Sequence, residues 1–239
     1  MSTPQILFDR DGAVAIITFN RPEVMNAFGD TTRDELLALL RKAESDAEVK
    51  CVVITGAGKA FAAGGDVKSM VSMQKNDDDS ILMDRMNLAT EIILLLRSMS
   101  KPVIAAVNGP AAGAGMNLAL ACDLRYGCEK TFFAESFVKI GLIPDWGGHY
   151  LLTRIVGTGK ALELMMLGDR IEANDALALG ILNGLLPRET FLDDVMEKAH
   201  RLASGPSNTI AAIKKCTYLG ADGSLCLLYT SPSPRDRYI

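Results

Sequence analysis

The sequence predicts an α/β fold followed by a helical C-terminal region. Apolar runs of strand length alternate with amphipathic helical patterns in the first half of the chain, and helical patterns dominate the second half. The chain has 239 residues, of which 49% are hydrophobic, so it can bury one sizeable core. This length fits one large α/β domain or two small ones, and we find neither an internal repeat nor a long linker.

The first half opens with two strands, separated by the turn signal Arg10-Asp11-Gly12. Arg21-Pro22 ends the second strand, because proline has no N–H to donate to a strand ladder. Two later apolar runs are nearly continuous, which is typical of strands covered on both faces. The predicted strands are 6–9, 14–20, 51–55 and 103–107, with helices at 34–43 and from about 77 to 97.

The second half carries five more helical patterns and then an unusual end. Apolar residues recur on one face at 114–122, 146–156, 160–167, 173–179 and 190–203. Beyond residue 225 the helical pattern breaks, and Pro232 and Pro234 forbid a regular helix there. We therefore predict that residues 225–239 form a non-native or disordered tail.

Charge and composition exclude several classes of protein. The formal net charge is −4, which argues against a basic nucleic-acid-binding face. The N-terminus has no secretory signal pattern, and the longest apolar runs are too short to span a bilayer. The five cysteines and two histidines show no metal-ligand spacing. We expect a cytoplasmic protein, or an organellar one whose presequence is missing, with no metal.

Two glycine-rich segments follow buried strands. Residues 55–70 contain Gly56 and Gly58 but lack both the dinucleotide fingerprint and the P-loop spacing, so a phosphate role is weakly indicated. Residues 101–117 run from a strand through small residues into a helix. Amide N–H groups at a helix start can bind an anion or a developing negative charge. Tight packing of the helix on the sheet explains the small residues equally well.

A third segment, residues 132–148, contains a single acid in an apolar setting. Asp145 stands in the run Gly-Leu-Ile-Pro-Asp-Trp-Gly-Gly that spans residues 141–148. It could cap a helix that begins near Trp146, which is a common role for aspartate. Alternatively, it could be a catalytic carboxylate.

In this order and spacing, the three segments resemble the enoyl-CoA hydratase/isomerase (crotonase) superfamily. The resemblance reaches along the chain to about Tyr218 and is carried by residues 21–27, 61–68, 101–115, 141–148 and 168–182. It implies a crotonase-like ββα spiral core over residues 1–190. Residues 191–224 would then begin the C-terminal helical region.

The resemblance also implies a site and partners. The backbone N–H groups of Gly65 and Ala114 would hold a thioester carbonyl as an oxyanion hole. The substrate is then an acyl-CoA thioester, no separate cofactor is needed, and the protein assembles as a homotrimer or hexamer. The residues expected to bind CoA or substrate are Asn26, Ala63, Asp66, Val67, Lys68, Asn117 and Phe137.

Within the superfamily, the sequence is more similar to isomerases of the ring-1,2-epoxyphenylacetyl-CoA and Δ3,Δ2-enoyl-CoA types. Hydratases use two glutamates at the positions of Asn117 and Phe137, and neither is an acid here. Asp145 matches the isomerase acid, and one carboxylate suffices for a 1,3-proton shift. Burial by Phe137, Trp146 and Ile143 is expected to raise its pKa.

Three alternatives remain open from the sequence. Glu135 lies two places from Phe137 and could serve a hydratase. The haloaroyl-CoA dehalogenases also place an aspartate at position 145, but they need an upstream histidine, and the first histidine here is His149. A non-catalytic acyl-CoA-binding protein could retain the same fold.

Overall fold

A computed structural model describes residues 4–29, 31–66 and 79–223. Its strands are β1 (Ile6–Asp11), β2 (Val14–Phe19), β3 (Cys51–Gly56), β4 (Val103–Val107), β5 (Ala111–Ala112), β6 (Leu124–Gly127), β7 (Phe132–Ala134), β8 (Arg170–Glu172) and β9 (Gly184–Leu185). Its α-helices are α1 (Thr32–Ser45), α2 (Asp79–Ser98), α3 (Ala114–Ala121), α4 (Gly148–Val156), α5 (Thr158–Leu167), α6 (Ala173–Ala178), α7 (Phe191–Ala203) and α8 (Ser207–Asp222). Short 3-10 helices span Pro22–Val24 and Ser136–Ile140.

The main sheet has six strands in the order β1-β2-β3-β4-β6-β9. Strands β1 and β2 form an antiparallel hairpin, and every later pairing in this sheet is parallel. Parallel neighbours need crossover connections, and helices α1, α2 and α3 supply them between successive strands. The chain therefore winds as a spiral of strand and helix turns. All side chains of β3 and β4 are buried, as expected of strands covered on both faces.

A second, three-stranded sheet has the order β5-β7-β8. Two isolated parallel bridges involve the loop after β3. Gly65 pairs with Phe28 in the loop after β2, and Ala62 pairs with Ala111 of β5, the strand that precedes α3. They set the backbone path on which the candidate site is built.

Apolar side chains pack on both faces of the main sheet. The larger cluster joins the sheet to the crossover helices through residues such as Phe19, Leu36 and Ile92. On the opposite face, Phe191 and Val195 of α7 pack with the buried side chains of β3 and β4. The main sheet thus has helices packed on both of its faces.

Helix α8 is attached to the core by a buried ion pair. The Lys214 ammonium lies 2.8 Å from the Asp123 carboxylate and donates to the backbone carbonyls of Leu96 and Lys101. Tyr218, one turn further along α8, donates its hydroxyl to the same Asp123 carboxylate. Buried charges are costly unless they are paired and hydrogen-bonded, and this pair is both. Asp123 therefore anchors the last described helix.

The predicted elements agree with the structure at most positions, and the exceptions have physical causes. Helix α4 begins at Gly148 rather than at Trp146, because Trp146 and Gly147 have positive φ angles of 51° and 74°. Strands β5 to β9 were not predicted, because runs of two to four residues show no measurable periodicity. The predicted tail, residues 225–239, lies outside the described residues. No helix in the described ranges is long and apolar enough to cross a bilayer.

Candidate active site

The loop after β3 and the first turn of α3 approach each other closely. A Cβ atom on Gly64 would lie 2.7 Å from the Ala112 carbonyl oxygen and 3.5 Å from the Ala114 nitrogen, and Gly64 has φ +92°. A Cβ atom on Gly115 would overlap the carbonyl oxygen of Ala62. Only glycine accommodates both this backbone conformation and this spacing. The small residues seen in the sequence therefore bring two backbone turns together.

The N–H group of Gly65 is left outside the ladder by the geometry of its bridge. Phe28 donates its N–H to Gly64 at 2.7 Å and accepts from the N–H of Asp66 at 3.3 Å. The bridge is therefore made by the Gly64 carbonyl and the Asp66 N–H. Neither the N–H nor the carbonyl of Gly65 takes part in it. Among the residues that the structure describes, its N–H has no acceptor.

The N–H group of Ala114 is available for a different reason. Ala114 is the first residue of α3, and the first N–H groups of a helix have no partner within it. The helix has no side-chain cap, and its first closing bond runs from the Asn117 N–H to the Gly113 carbonyl. The backbone at Gly64 lies beside Ala114, so the turns that carry these two amides are close neighbours. Their joint role as an oxyanion hole stays a prediction.

Asp145 lies in the turn before α4 and is held there through its backbone. Its carbonyl oxygen accepts from the Asn117 side-chain Nδ2 at 2.9 Å and from the Gly148 N–H at 3.0 Å. The N-cap of α4 is Gly147, and no side chain caps this helix. The interpretation of Asp145 as a helix cap is therefore wrong, and its carboxyl group is not used to start α4.

Burial is the main influence on the Asp145 carboxyl group. It raises the pKa of Asp145 to about 6, and the positive charge of Arg33 on α1 offsets part of the rise. The Oδ1 atom is buried and has no hydrogen-bond partner within the described ranges. Arg33 also lies over the Trp146 ring, 5.8 Å from its centroid. A carboxyl group in this state can exchange a proton near neutral pH.

Three of the predicted neighbours of this carboxyl group are buried. Asn117 is completely buried in α3, and Phe137 is buried in the 3-10 helix with ring atoms 3.6 Å from the Cβ position on Gly113. Trp146 is buried and packs on Phe28 with 5.0 Å between ring centroids. Ile143, by contrast, is 78% exposed, so the prediction that it helps to bury Asp145 is wrong.

Glu135 is a second buried acid beside this group. It is fully buried, and burial raises its pKa to about 8. The Asn117 amide lies near enough to offset part of that rise, whereas the negative charge of Asp145 adds to it. The sequence predicts Glu135 as an alternative catalytic acid. In the structure it lies close enough to Asn117 and Asp145 for both to influence its pKa.

The residues predicted to bind CoA are distributed unevenly. Ala63 is half-buried and donates its N–H to Met25, and Asp66 forms an ion pair with Arg21 at 3.2 Å. Val67 and Lys68 lie outside the described residues. Asn26 is buried, and its side chain accepts from the Arg21 N–H and donates to the carbonyls of Ala57 and Ala60. Its role in binding CoA or substrate stays a prediction.

Sequence reasoning missed Arg33. In the sequence it precedes Asp34 at the start of a helix, which is the pattern of a solvated face. In the structure Arg33 is buried, 6% exposed, and its charge acts on Asp145. Nothing in the local sequence indicates this. Within the described ranges, no group of three or more His, Cys, Asp and Glu side chains is arranged to hold a metal.

Known proteins are similar to this chain in both sequence and architecture. The chain is 41% identical over 207 residues to a mitochondrial enoyl-CoA hydratase of Pongo abelii, covering 86% of this chain and 69% of that protein. It is 35% identical to the 1,2-epoxyphenylacetyl-CoA isomerase of Escherichia coli, covering 88% and 80% of the two chains. The crystal structure of an enoyl-CoA hydratase from Polaromonas superposes with a TM-score of 0.89 at 32% identity, covering 94% and 87%.

The family description "Enoyl-CoA hydratase/isomerase" matches residues 9–224, which include the second half of β1 and every described element from β2 to α8. The ββα spiral and helical C-terminal region expected from the sequence are thus confirmed by structural relatives as well as by the topology. With the strand order, the paired backbone turns and the family match in agreement, this chain belongs to the enoyl-CoA hydratase/isomerase family of the crotonase superfamily.

Proposed function

We propose that this protein is an enoyl-CoA isomerase that moves a double bond along an acyl-CoA thioester. The observation that carries the proposal is the Asp145 carboxyl group, which is buried, has an Oδ1 atom without a partner in the described ranges and has a pKa near 6. By resemblance, a hydratase would have glutamates at positions 117 and 137. This chain has Asn117 and Phe137 there. One carboxylate beside an apolar ring suits proton transfer between carbons.

In the proposed reaction, the thioester oxygen accepts hydrogen bonds from the N–H groups of Gly65 and Ala114. Asp145 removes a proton from C2 of a 3-enoyl thioester, and the electron pair moves into an enolate whose oxygen these donors stabilise. The C3–C4 double bond then shifts to C2–C3 as C4 takes the proton back from Asp145. The carboxylate is regenerated, so no other reactant or cofactor is consumed.

A second candidate reaction is the hydration of 2-enoyl thioesters, and Glu135 is the observation that favours it. Glu135 is a fully buried acid whose raised pKa suits a proton donor. Hydration also needs a group to activate water, and Asp145 is the other carboxyl group whose charge acts on Glu135. The names of the relatives include both hydratases and isomerases.

The deciding experiment compares Asp145→Asn and Glu135→Gln on a panel of 3-enoyl and 2-enoyl thioesters of coenzyme A. Asp145→Asn keeps the size of the side chain but cannot take a proton, so we expect isomerisation to fall by about 10³-fold or more. Affinity for acyl-CoA, measured by titration calorimetry, should change little. If Glu135→Gln abolishes turnover and Asp145→Asn does not, the isomerase proposal is wrong and the hydratase replaces it. Binding of acyl-CoA without turnover of any substrate would instead identify a non-catalytic member of the family.

We further propose a homotrimeric or hexameric assembly. An exposed apolar band on the 3-10 helix, on the loop that follows it and on α5 supports self-association, because contiguous apolar surface of this kind is typical of interfaces. Its members are Val138, Ile140, Leu142, Ile143, Leu162, Met166 and Leu167. Light scattering after size-exclusion chromatography should give three or six times the mass of the chain, and a monomer would contradict the proposal.

A further inference from the structure

Three buried oxygen atoms beside Asp145 lack a hydrogen-bond donor. They are Oδ1 of Asn117 and both carboxyl oxygens of Glu135, and none has a partner among the described residues. Both side chains are fully buried, so water exposure does not compensate for the missing bonds. Three acceptors together need a proton, and the carboxyl group of Glu135 is the site that can carry one.

The orientation of the Asn117 amide is fixed from its other end. The Asp145 carbonyl oxygen accepts from Nδ2 of Asn117 at 2.9 Å, and turning the amide over would place two oxygen atoms against each other. Oδ1 of Asn117 is therefore an acceptor on the side away from this bond. The Glu135 carboxyl group lies near enough to the same amide for the amide to lower its pKa, although neither carboxyl oxygen has a hydrogen-bond partner among the described residues.

We propose that Glu135 is a positioning residue for Asp145, which it reaches through Asn117. The neutral carboxyl group of Glu135 donates its O–H to Oδ1 of Asn117, and Nδ2 of Asn117 donates to the backbone carbonyl of Asp145. Glu135 touches neither the substrate nor the reacting carbons in this role. The inference rests on the proposed function of Asp145 as the proton-transfer group.

Burial favours the neutral form of Glu135 and raises its pKa to about 8. The Asn117 amide opposes part of this rise, and the negative charge of Asp145 adds to it. Arg33 on α1 acts on Asp145 instead. On β8, which pairs with the strand before Glu135, Arg170 and Glu172 are both exposed. Ionisation above pH 8 would remove the donor and place a second negative charge near Asp145.

The test is a set of pH–rate profiles for the full-length protein and three variants. For the unmodified protein, kcat should fall at high pH with an apparent pKa near 8. Glu135→Gln keeps a neutral donor, so it should stay within about threefold of the unmodified kcat at pH 7 and lose the alkaline fall. Glu135→Leu should lower kcat about 10-fold or more at every pH with KM nearly unchanged. Glu172→Gln, an exposed glutamate on β8, is the matched control.

Infrared spectroscopy supplies a readout that does not depend on turnover. At pH 7 the unmodified protein should show the carbonyl band of a protonated carboxyl group, and Glu135→Gln should lack it. An alkaline fall that persists in Glu135→Gln, or the absence of this band from the unmodified protein, would overturn the inference. If Asp145→Asn retained turnover while the band behaved as expected, the isomerase mechanism would fail and the hydrogen-bonded pair would stand. The two failures are thus distinguishable.

Discussion

Asn117 and Asp145 are joined by a hydrogen bond between the side chain of one and the backbone of the other, at 2.9 Å. Asn117 lies one turn into α3, and Ala114 is the first residue of the same helix. The turn that carries the proposed proton-transfer group is therefore fixed to the helix that carries a proposed oxyanion donor. A displacement of one would displace the other, so the distance between base and oxyanion is set by a single rigid element.

Replacing Asn117 should impair catalysis more than binding. Asn117→Leu preserves the approximate shape of the side chain but removes the bond to the Asp145 carbonyl. We expect kcat to fall about 10- to 100-fold, because the turn loses a fixed orientation, with acyl-CoA affinity within about threefold. Steady-state kinetics and calorimetry measure the two effects. Asn174→Leu on α6, where the side chain is exposed, is the control. Equal losses of kcat and affinity in Asn117→Leu would contradict the prediction.

A single methyl group on Gly64 should damage the oxyanion site. It would lie 2.7 Å from the Ala112 carbonyl oxygen, and L-residues rarely adopt φ +92°. The backbone must shift, which moves the adjacent Gly65 and Ala114 amides. We expect kcat for Gly64→Ala to fall about 10²-fold or more, similar to the loss of one oxyanion donor. Gly159→Ala, in α5 with open space around the Cβ position, should leave kcat unchanged. An unchanged kcat in Gly64→Ala would mean that these amides do not act in the reaction.

The rate of isomerisation should rise with pH through about 6, because Asp145 must be ionised to take a proton and its pKa is raised to that value. The same shift affects folding. The folded protein holds this proton more tightly than the unfolded chain, so the free energy of unfolding should decrease as pH rises from the ordinary value of 3.8 to about 6. Denaturant titrations of Asp145→Asn should lack that decrease. A kcat that is flat from pH 5 to 7 would contradict the assignment of Asp145 as the base.

Removing the charge of Lys214 should destabilise the protein rather than inactivate it. Lys214→Met would leave the Asp123 carboxylate buried without its cation, and breaking a buried pair typically costs about 3–5 kcal/mol. Tyr218→Phe removes a hydrogen bond to the same carboxylate and should cost less, about 1–3 kcal/mol. Lys215→Met, at the exposed neighbouring position, is the control. Urea denaturation followed by circular dichroism measures all three, and equal stability of Lys214→Met and Lys215→Met would refute the prediction.

Sequence patterns predicted the long elements well and the short ones poorly. Strand β4 and the first residue of α3 were predicted at their observed positions, because a buried strand and a run of small residues are local signals. Strand β5 was not predicted, because its two residues are ordered by partners distant in sequence. Trp146 explains the error in α4: its left-handed conformation depends on the packing around the turn, and aromatic residues normally favour other backbone angles.

Only those residues of the candidate site that stand in a recognisable sequence motif could be predicted. Asp145 stands in a recognisable run of residues, whereas the influence of Arg33 on it depends on the packing of α1 against a turn more than 100 residues away. Asn26 is predicted to bind CoA or substrate because its position matches the family pattern. In the structure all its bonds are to the backbone of the chain itself. Sequence spacing does not distinguish a residue that binds a ligand from one that shapes the loop beside it.

Ala114 is the first residue of α3, so a proline there should be tolerated by the fold but not by the activity. Proline is favoured at the first position of a helix, where the missing N–H would have had no helical partner. A library of Ala114 variants selected only for folding should therefore retain proline. The same library selected for turnover should lose it, because proline is the one residue that deletes this main-chain donor and fills its place with a ring carbon. At this position, fitness for stability and fitness for chemistry would rank the same substitution in opposite order.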